Sequence, residues 1–541
     1  MKHYFSLTLL ATAVLAGCAT TSITPTDVTN GYNSIQADEL AKHVKVLASD
    51  EFGGRAPSSP GEKLTLDYLT AQFKALGLKP GNGDSYLQEV PLVSLEADSN
   101  MVLSIGGKDY QYKKDMVMGS SRISAQEGIE NSELVFVGYG VNAPEYNWND
   151  YEGLDVKGKT VVMLVNDPGF ATKDPALFTG DAMTYYGRWT YKYEEASRQG
   201  AAGAIIIHET APASYPWSVV ENSWSGEQFG FQKENNNMDR VAVEGWVTTD
   251  VAKELFTKAG LDFDTVKTNA AKGAYHVDMG DLTASVNIKN TIKKSVSYNF
   301  IATLPGSEKP DEHVIYSAHW DHLGTDKTRK GDQIYNGAHD NATGTAGLIE
   351  VAEAFTKLPK HPSRSMTFLA VTAEEQGLLG SKYYAANPVI AADKTVANIN
   401  MDSLNLLGKV KDMNVVGIGK SQMDEFLETA AKEQGRTISG DPKPSSGGYY
   451  RSDHFAFANM GIPAMYAGGG TVAADEETAN YRKRMSLVLR GCYHQPCDRY
   501  RDEWDLSGAV QDLQLFYKVG FDISETEQWP TWNTNSEFQR K

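Results

Sequence analysis

Three short apolar runs in the second half of the chain stop at a histidine or an acid, and this recurrence constrains the fold more than any other feature. His313–Ala318 is followed by His319-Trp320-Asp321-His322, Ser365–Thr372 by Ala373-Glu374-Glu375, and Val396–Met401 by Asp402. Apolar runs of this length, bounded by turn residues, read as buried strands. Between them the spacing predicts helices over Gly344–Leu358, Met423–Glu433 and Leu506–Ile523, with Asn341 or Thr343 as the cap of the first. Met413–Ile418 and Pro463–Ala467 read as further strands. Strands alternating with helices predict an α/β sheet with helices on both faces. In such sheets ligands gather outside the carboxyl ends of the strands. His319, Glu374, Glu375 and Asp402 are therefore expected in one crevice. Asp340, ahead of a helix, and His494, in the loop Cys492-Tyr-His-Gln-Pro-Cys497, are expected to join them.

Each of these residues alone has an ordinary explanation: a packed histidine, a helix cap, a solvated turn. Jointly, at successive strand ends, they form a ligand set. Two histidines and three carboxylates suit zinc. Charge favours two ions, because Asp340, Glu375 and Asp402 plus one hydroxide balance two Zn²⁺, and a near-neutral site costs little to bury. Glu374 is then left beside a ligand, where a general base is needed.

The 541 residues suffice for three or four domains. With 41% hydrophobic and 22% charged residues, the composition excludes a disordered, collagen-like or polytopic membrane chain. A net charge of −18 argues against nucleic acid held by bulk charge. Met1-Lys2-His3 and the apolar run Tyr4–Ala16 read as a secretory signal, too short to span a bilayer. It ends in Leu15-Ala16-Gly17-Cys18, which resembles the lipobox of bacterial lipoproteins. That resemblance implies cleavage before Cys18, a lipid on Cys18 and, with Ala19 next, an outer-membrane address. Thr20 to about Ser34 reads as a tether. Cys492 and Cys497 then remain as a pair suited to a small disulfide loop in an oxidising compartment, or to free thiols or soft metal ligands.

Helices are expected over Ala37–Ala48 and Lys63–Leu76, with Gly77 as a stop and a Gly/Pro/Ser loop between them. Residues 133–290 differ. They carry the strands Leu134–Val137, Thr160–Val165 and Ala204–Ile207 and a helix over Tyr193–Gly200, but none of the clustered ligand types, and read as an insertion. Gly200–Gly203 lacks the Lys-Ser/Thr of a phosphate loop and reads as a turn. Thr471–Arg490 reads as a lid, a rim or a solvated excursion.

Ser317-Ala-His-Trp-Asp-His322, Asn336-Gly-Ala-His-Asp-Asn-Ala-Thr-Gly344, Ala373-Glu-Glu-Gln-Gly377, Asn400-Met-Asp402 and Tyr493-His494 together resemble the di-zinc exopeptidases. That family includes bacterial leucyl aminopeptidases, aminopeptidase Y and the glutamate carboxypeptidases. Val135-Phe-Val-Gly-Tyr-Gly140 and Gly200-Ala-Ala-Gly-Ala-Ile-Ile-Ile207 resemble the protease-associated domain inserted in some members. The resemblance implies a mixed, mostly parallel sheet with helices on both faces, the zinc exopeptidase fold, plus a smaller β-rich α+β inserted domain. The expected division is signal 1–17, tether 18–35, peptidase segments 36–125 and 290–541, and insertion 126–289.

By the same resemblance His319 and Glu375 bind one zinc, Asp402 and His494 the other, and Asp340 bridges both. Asp321 stands behind His319, Glu374 deprotonates a zinc-bridging water, and Tyr466 assists the oxyanion. The Asp340–Asn341 bond is expected to be cis. His322 and His339 adjoin ligands, and His454 is expected near the substrate side or in a supporting place. The implied activity is a periplasm-facing, lipid-anchored aminopeptidase acting on peptides with two Zn²⁺. The loop 336–350 is similar to the aminopeptidase members, and an acid-rich site suits a substrate ammonium. A carboxypeptidase is the alternative, with Arg451 and the basic cluster at 482–490 able to hold a carboxylate. A glutaminyl cyclase and an inactive binding protein are further ones.

Overall fold

The computed structural model describes residues 22–534 and 536–540. The signal segment and Cys18 lie outside them.

Two sheets share one strand. Val277–Leu304 runs for 28 residues. Its second half pairs antiparallel with Leu87–Ala97 and then with Arg364–Val371. Arg364–Val371, Lys309–His319, Thr395–Asn400 and Ala464–Gly469 then lie side by side in parallel. Asp412–Val415 adds antiparallel to the last of these, and Thr437–Gly440 adds parallel to it. The sheet is therefore mixed and mostly parallel. Parallel neighbours need crossovers, and those helices bury both faces. Along Lys309–His319, Val314 and Tyr316 enter one core and Ile315 the other, as a period of two requires. Ala37–Leu47, Pro60–Ala75, Thr343–Thr356 and Ser507–Glu525 cover the first face. Leu379–Ala386 and His454–Asn459 cover the second through Tyr384 and Phe457.

The tether reading of 18–35 is corrected from Pro25 onward. Pro25–Ser34 is a helix with a full capping box between Thr24 and Asp27. It is docked rather than free. Ile35 is fully buried, and a Cβ on Gly31 would lie 2.3 Å from the Tyr517 hydroxyl, so only glycine admits this approach.

The insertion boundary at 126 is also corrected. Val102–Ile105 and Lys108–Gln111 form a hairpin, and Met116–Gly119 pairs with Val243–Thr248. Leu103, Ile105, Met116 and Met118 share a core with Leu134 and Phe136, so the second sheet begins near residue 102. The overlooked signal is Gly106-Gly107, both at positive φ, which makes the two-residue turn of a hairpin. In this sheet Gln126–Phe136, Thr160–Leu164, Gly203–His208 and Val243–Thr248 lie parallel in succession. The strand Glu227–Phe231, from the same region of the chain, joins the first sheet by pairing with Leu87–Ala97 and brings the insertion over the carboxyl ends of that sheet. The polar stretch 471–490 is a largely exposed excursion. It forms most of the helix Glu476–Cys492, capped by Asp475.

Candidate metal centre

Strand register builds the centre. Ser317 lies opposite Asn400, so two residues further His319 comes level with Asp402. His319 Nε2 stands 3.5 Å from Asp402 Oδ1 and 3.3 Å from Asp340 Oδ1. On the far side, His494 Nε2 stands 3.2 Å from Asp340 Oδ2 and 3.0 Å from Glu375 Oε2. The two histidines thus face opposite oxygens of one carboxylate. This corrects the ligand sharing expected from the resemblance. His319 goes with Asp402, and His494 goes with Glu375. The reason is distance along the chain. Asp402 follows its strand by two residues and stays in register, whereas Glu375 lies four residues past Val371 and is carried across the crevice.

The turns that present these groups are strained where they must be. Ala373, just before Glu374, Ser403, just after Asp402, and His494 itself all sit at positive φ. For non-glycine residues this conformation is uncommon and collects at functional sites. The Asp340–Asn341 bond is cis. Asn341 Oδ1 accepts from the main-chain N–H of Gly344 and of Ser403, tying the Asp340 turn to the Asp402 turn.

Electrostatics mark the cluster as a cation site. Burial would hold His494 neutral, yet Asp340 and Glu375 push it up to about 10. Burial likewise opposes protonation of His319, and Glu374, Asp340 and Asp402 overcome it and raise it well above the usual range. Burial alone would raise Asp340, but His319 and His494 hold it well below the ordinary carboxylate value. Burial lifts Glu374 far above that value, with Asp453, Asp402 and Glu375 adding to the effect against His319. The field is therefore one that a divalent cation would answer. Hydrogen bonding agrees. His494 Nε2 and His322 Nε2 are buried without a partner, and so are both carboxylate oxygens of Asp453. His494 Nε2 lies at contact distance from the carboxylates of both Asp340 and Glu375. Ligands converging on a shared ion have this arrangement. The groups His319–Asp340–Asp402 and His322–Asp340–Glu375 each bring ligand atoms within 4.8 Å of one another. The donor set fits zinc.

The supporting residues differ in part from expectation. Asp321 holds His319 through its main-chain carbonyl, 3.2 Å from Nδ1. Its carboxylate instead accepts the main-chain N–H of Glu374 at 3.0 Å and of Glu375 at 3.4 Å, so it aims the acid pair. His322 meets Glu375 at 2.5 Å. His339 Nε2 meets the Leu404 carbonyl, away from the centre. His454 is fully buried against Tyr449 and Tyr466, and burial pushes it down to about 3, which puts it in the supporting place rather than on the substrate side. Tyr466 stacks on His454, and burial together with Asp402 and Glu374 raises its hydroxyl well above the usual value. Arg451 lines the crevice with Glu374, Glu375 and His494. Cys492 and Cys497 are joined by a disulfide that brackets His494.

Two residues went unread. Arg55 is fully buried and donates to the carbonyls of Leu47, Trp320, Asn336 and Gly337, pinning both ligand loops. Asp498 accepts the main-chain N–H of His339 at 2.9 Å and of Asp340 at 3.1 Å, fixing the shared carboxylate. Asp498 follows the Cys497 motif directly, a signal that was available. Arg55 sits in an ordinary Gly/Pro/Ser loop and had none.

Residues 299–517 match the model of peptidase family M28. An aminopeptidase of Pseudomonas aeruginosa is 23% identical over 490 residues, covering 86% of this chain and 76% of that protein. Leupeptin-inactivating enzyme 1 of Streptomyces exfoliatus is 26% identical over 38% of this chain and 44% of its own length. Aminopeptidase Y of Saccharomyces cerevisiae is 28% identical over 47% of this chain and 43% of its own. Among solved structures, an aminopeptidase from Aneurinibacillus sp. strain AM-1 covers 94% of this chain and 100% of that one, with TM-score 0.51 and 19% identity, a likeness of fold. The segment that matches peptidase family M28 carries every candidate ligand of the centre.

Proposed function

We propose that the protein is a zinc aminopeptidase that removes N-terminal residues from peptides with two ions per chain. One observation carries the two-ion reading: His319 and His494 address opposite oxygens of Asp340 from opposite sides. In this reading His319 and Asp402 hold one ion, His494 and Glu375 the other, and Asp340 both. Bound zinc would supply Lewis acidity toward the scissile carbonyl and toward water. Glu374, aimed by Asp321, takes a proton from the attacking water on a carboxylate oxygen and returns it to the leaving amine nitrogen. The Tyr466 hydroxyl donates to the oxygen on which charge develops. The acid-rich centre favours a substrate's free ammonium over a free carboxylate.

The test joins a zinc count to paired peptides with one end blocked. Two zinc ions and cleavage of the N-free peptide alone are expected. Cleavage of the N-blocked peptide alone would make the enzyme a carboxypeptidase, and a single ion would remove the bridging role of Asp340.

We further propose a lipid anchor at Cys18 on the periplasm-facing side of the outer membrane, and an insertion of the protease-associated type. Among the described residues no helix is long and apolar enough to cross a membrane. Replacing Cys18 by Ser should release active enzyme into the soluble fraction. Retention in the membrane fraction would place the anchor elsewhere.

A further inference from the structure

The crevice is built by both sheets. A cavity of about 770 Å³ has Glu374, Glu375 and His494 in its wall, and its opposite wall comes from the insertion. That size falls within the range of small-ligand sites, on the order of 300–1,000 Å³. The insertion's contribution is held in place. Tyr185 packs on Phe455 and Tyr450, Phe231 packs on Tyr383, and the Met183 main-chain N–H donates to the Pro444 carbonyl.

The cations in this wall divide into two kinds. Arg240 and Lys233 are taken by Glu244 and Asp239. Arg188, Arg451 and Lys382 are not, and Lys382 donates instead to the Gly377 carbonyl. Arg451 Nη2 donates only to the Ser446 carbonyl, and among the described residues neither guanidinium has a carboxylate within ion-pair distance. The two approach each other across the join. Arg188 belongs to the insertion, yet a Cβ on Gly447, four residues before Arg451, would lie 3.5 Å from Arg188 Cδ. Burial, and then the like charge of Arg451, pulls Arg188 down to about 10, so the pair faces the same space at a cost. A half-buried Arg188 and an exposed Arg451, opening together into a substrate crevice, suit an anion from the ligand. Phosphate would meet Glu374 and Glu375 in the same cavity. A peptide carboxylate, separated from the reacting centre by the length of the substrate, would not.

We propose that Arg188 and Arg451 form a clamp for a carboxylate at the substrate end remote from the scissile bond, so that the enzyme prefers short peptides with a free C-terminus. Arg188 is then a specificity residue supplied by the insertion, which gives that domain a role in substrate choice. This rests on the aminopeptidase reading.

The experiment uses the zinc-loaded full chain and N-free tripeptides in matched forms: free C-terminal acid, C-terminal amide, and amides bearing Asp or Asn at the third position. The acid should be favoured over its amide in kcat/KM, mainly through KM. Arg188→Gln should reduce that ratio roughly 10- to 100-fold, the worth of one charge-assisted hydrogen bond. Arg188→Lys should retain part of it and controls for folding. Equal kcat/KM for acid and amide in the wild type, or an unchanged ratio in Arg188→Gln, would overturn the clamp. A preference only for the Asp amide over the Asn amide would overturn the terminal carboxylate as its source in favour of an acidic side chain. If instead only N-blocked free acids are cleaved, the aminopeptidase reading fails and the clamp's place remote from the scissile bond falls with it, whereas equal acid and amide rates on N-free peptides overturn the clamp alone.

Discussion

The two sheets obey the same grammar and put buried acids to opposite uses. In the insertion, the turns after Trp148–Asn149 and after Thr160–Leu164 also carry buried acids, yet every oxygen is answered. Asp150 accepts from the main-chain N–H of Tyr139, Val141 and Tyr275 and from Trp148 Nε1. Asp167 accepts from the N–H of Gly169 and from both N–H and hydroxyl of Thr184. In the peptidase sheet, Asp453 is equally buried but neither oxygen has a partner, and the imidazoles of His322 and His494 each leave one nitrogen unanswered. Buried polar groups in native proteins are almost always paired, so unpaired ones gathered in one place signal a missing ligand. Strand-end acids alone do not mark a metal site. Buried acids left unpaired beside the ligand cluster do.

The largest effect expected from this contrast is catalytic. Glu374→Gln should keep the zinc content and lower kcat by roughly 10²- to 10⁴-fold if, as proposed, Glu374 moves a proton and holds no ion. Normal turnover at full zinc content would remove it from that role. The next effect is on stability and tests the contrast directly. In zinc-free protein, Asp167→Ala abandons three donors and should cost about 3 kcal/mol of unfolding free energy. Asp453→Ala abandons none and should cost about 1 kcal/mol or less, the residue of a small cavity. Equal losses in denaturant titrations would show that Asp453 is satisfied after all.

Register explains what could be read from the sequence and what could not. His319, Glu374, Glu375 and Asp402 stand at the ends of apolar runs, so their convergence was legible from period and position. Which histidine shares an ion with which acid was not. It depends on strand order and on Ser317 standing opposite Asn400, and neither is encoded locally. The docked helix Pro25–Ser34 was hidden by its composition. Thr24, Pro25 and Asp27 resemble a linker until their capping geometry is recognised, and a buried Gly31 gives no hydrophobic signal. Arg55 was illegible for a similar reason, since its value lies in four carbonyls from distant segments.

Asp498 gives a third prediction, smaller because it acts through another residue. It accepts two main-chain N–H groups that aim Asp340. Asp498→Ala should weaken zinc binding roughly 10- to 100-fold, the usual range for partners behind a ligand. Competition with a chelator measures this. Unchanged affinity would mean that the Asn341 bonds to Gly344 and Ser403 suffice to hold the turn.

The smallest effect is expected from the disulfide, even though it brackets a candidate ligand. The bridge closes a loop of five positions between Cys492 and Cys497. Chain-entropy reasoning assigns so short a loop about 2 kcal/mol of stability. Its hold on His494 is shared. The Gln495 N–H donates to the Cys492 carbonyl and the Asp498 N–H to the Gln495 carbonyl, both at 2.9 Å, so the turn is closed by the main chain as well. Beyond it, the Asp498 carboxylate ties the loop to His339 and Asp340. Replacing both cysteines by serine should therefore lower the unfolding free energy by about 2 kcal/mol. Zinc affinity should fall by no more than about tenfold, less than in Asp498→Ala. Chelator competition on the two variants side by side decides the order. A greater loss of zinc from the serine variant would transfer the positioning of His494 from the Asp498 carboxylate to the sulfur bridge.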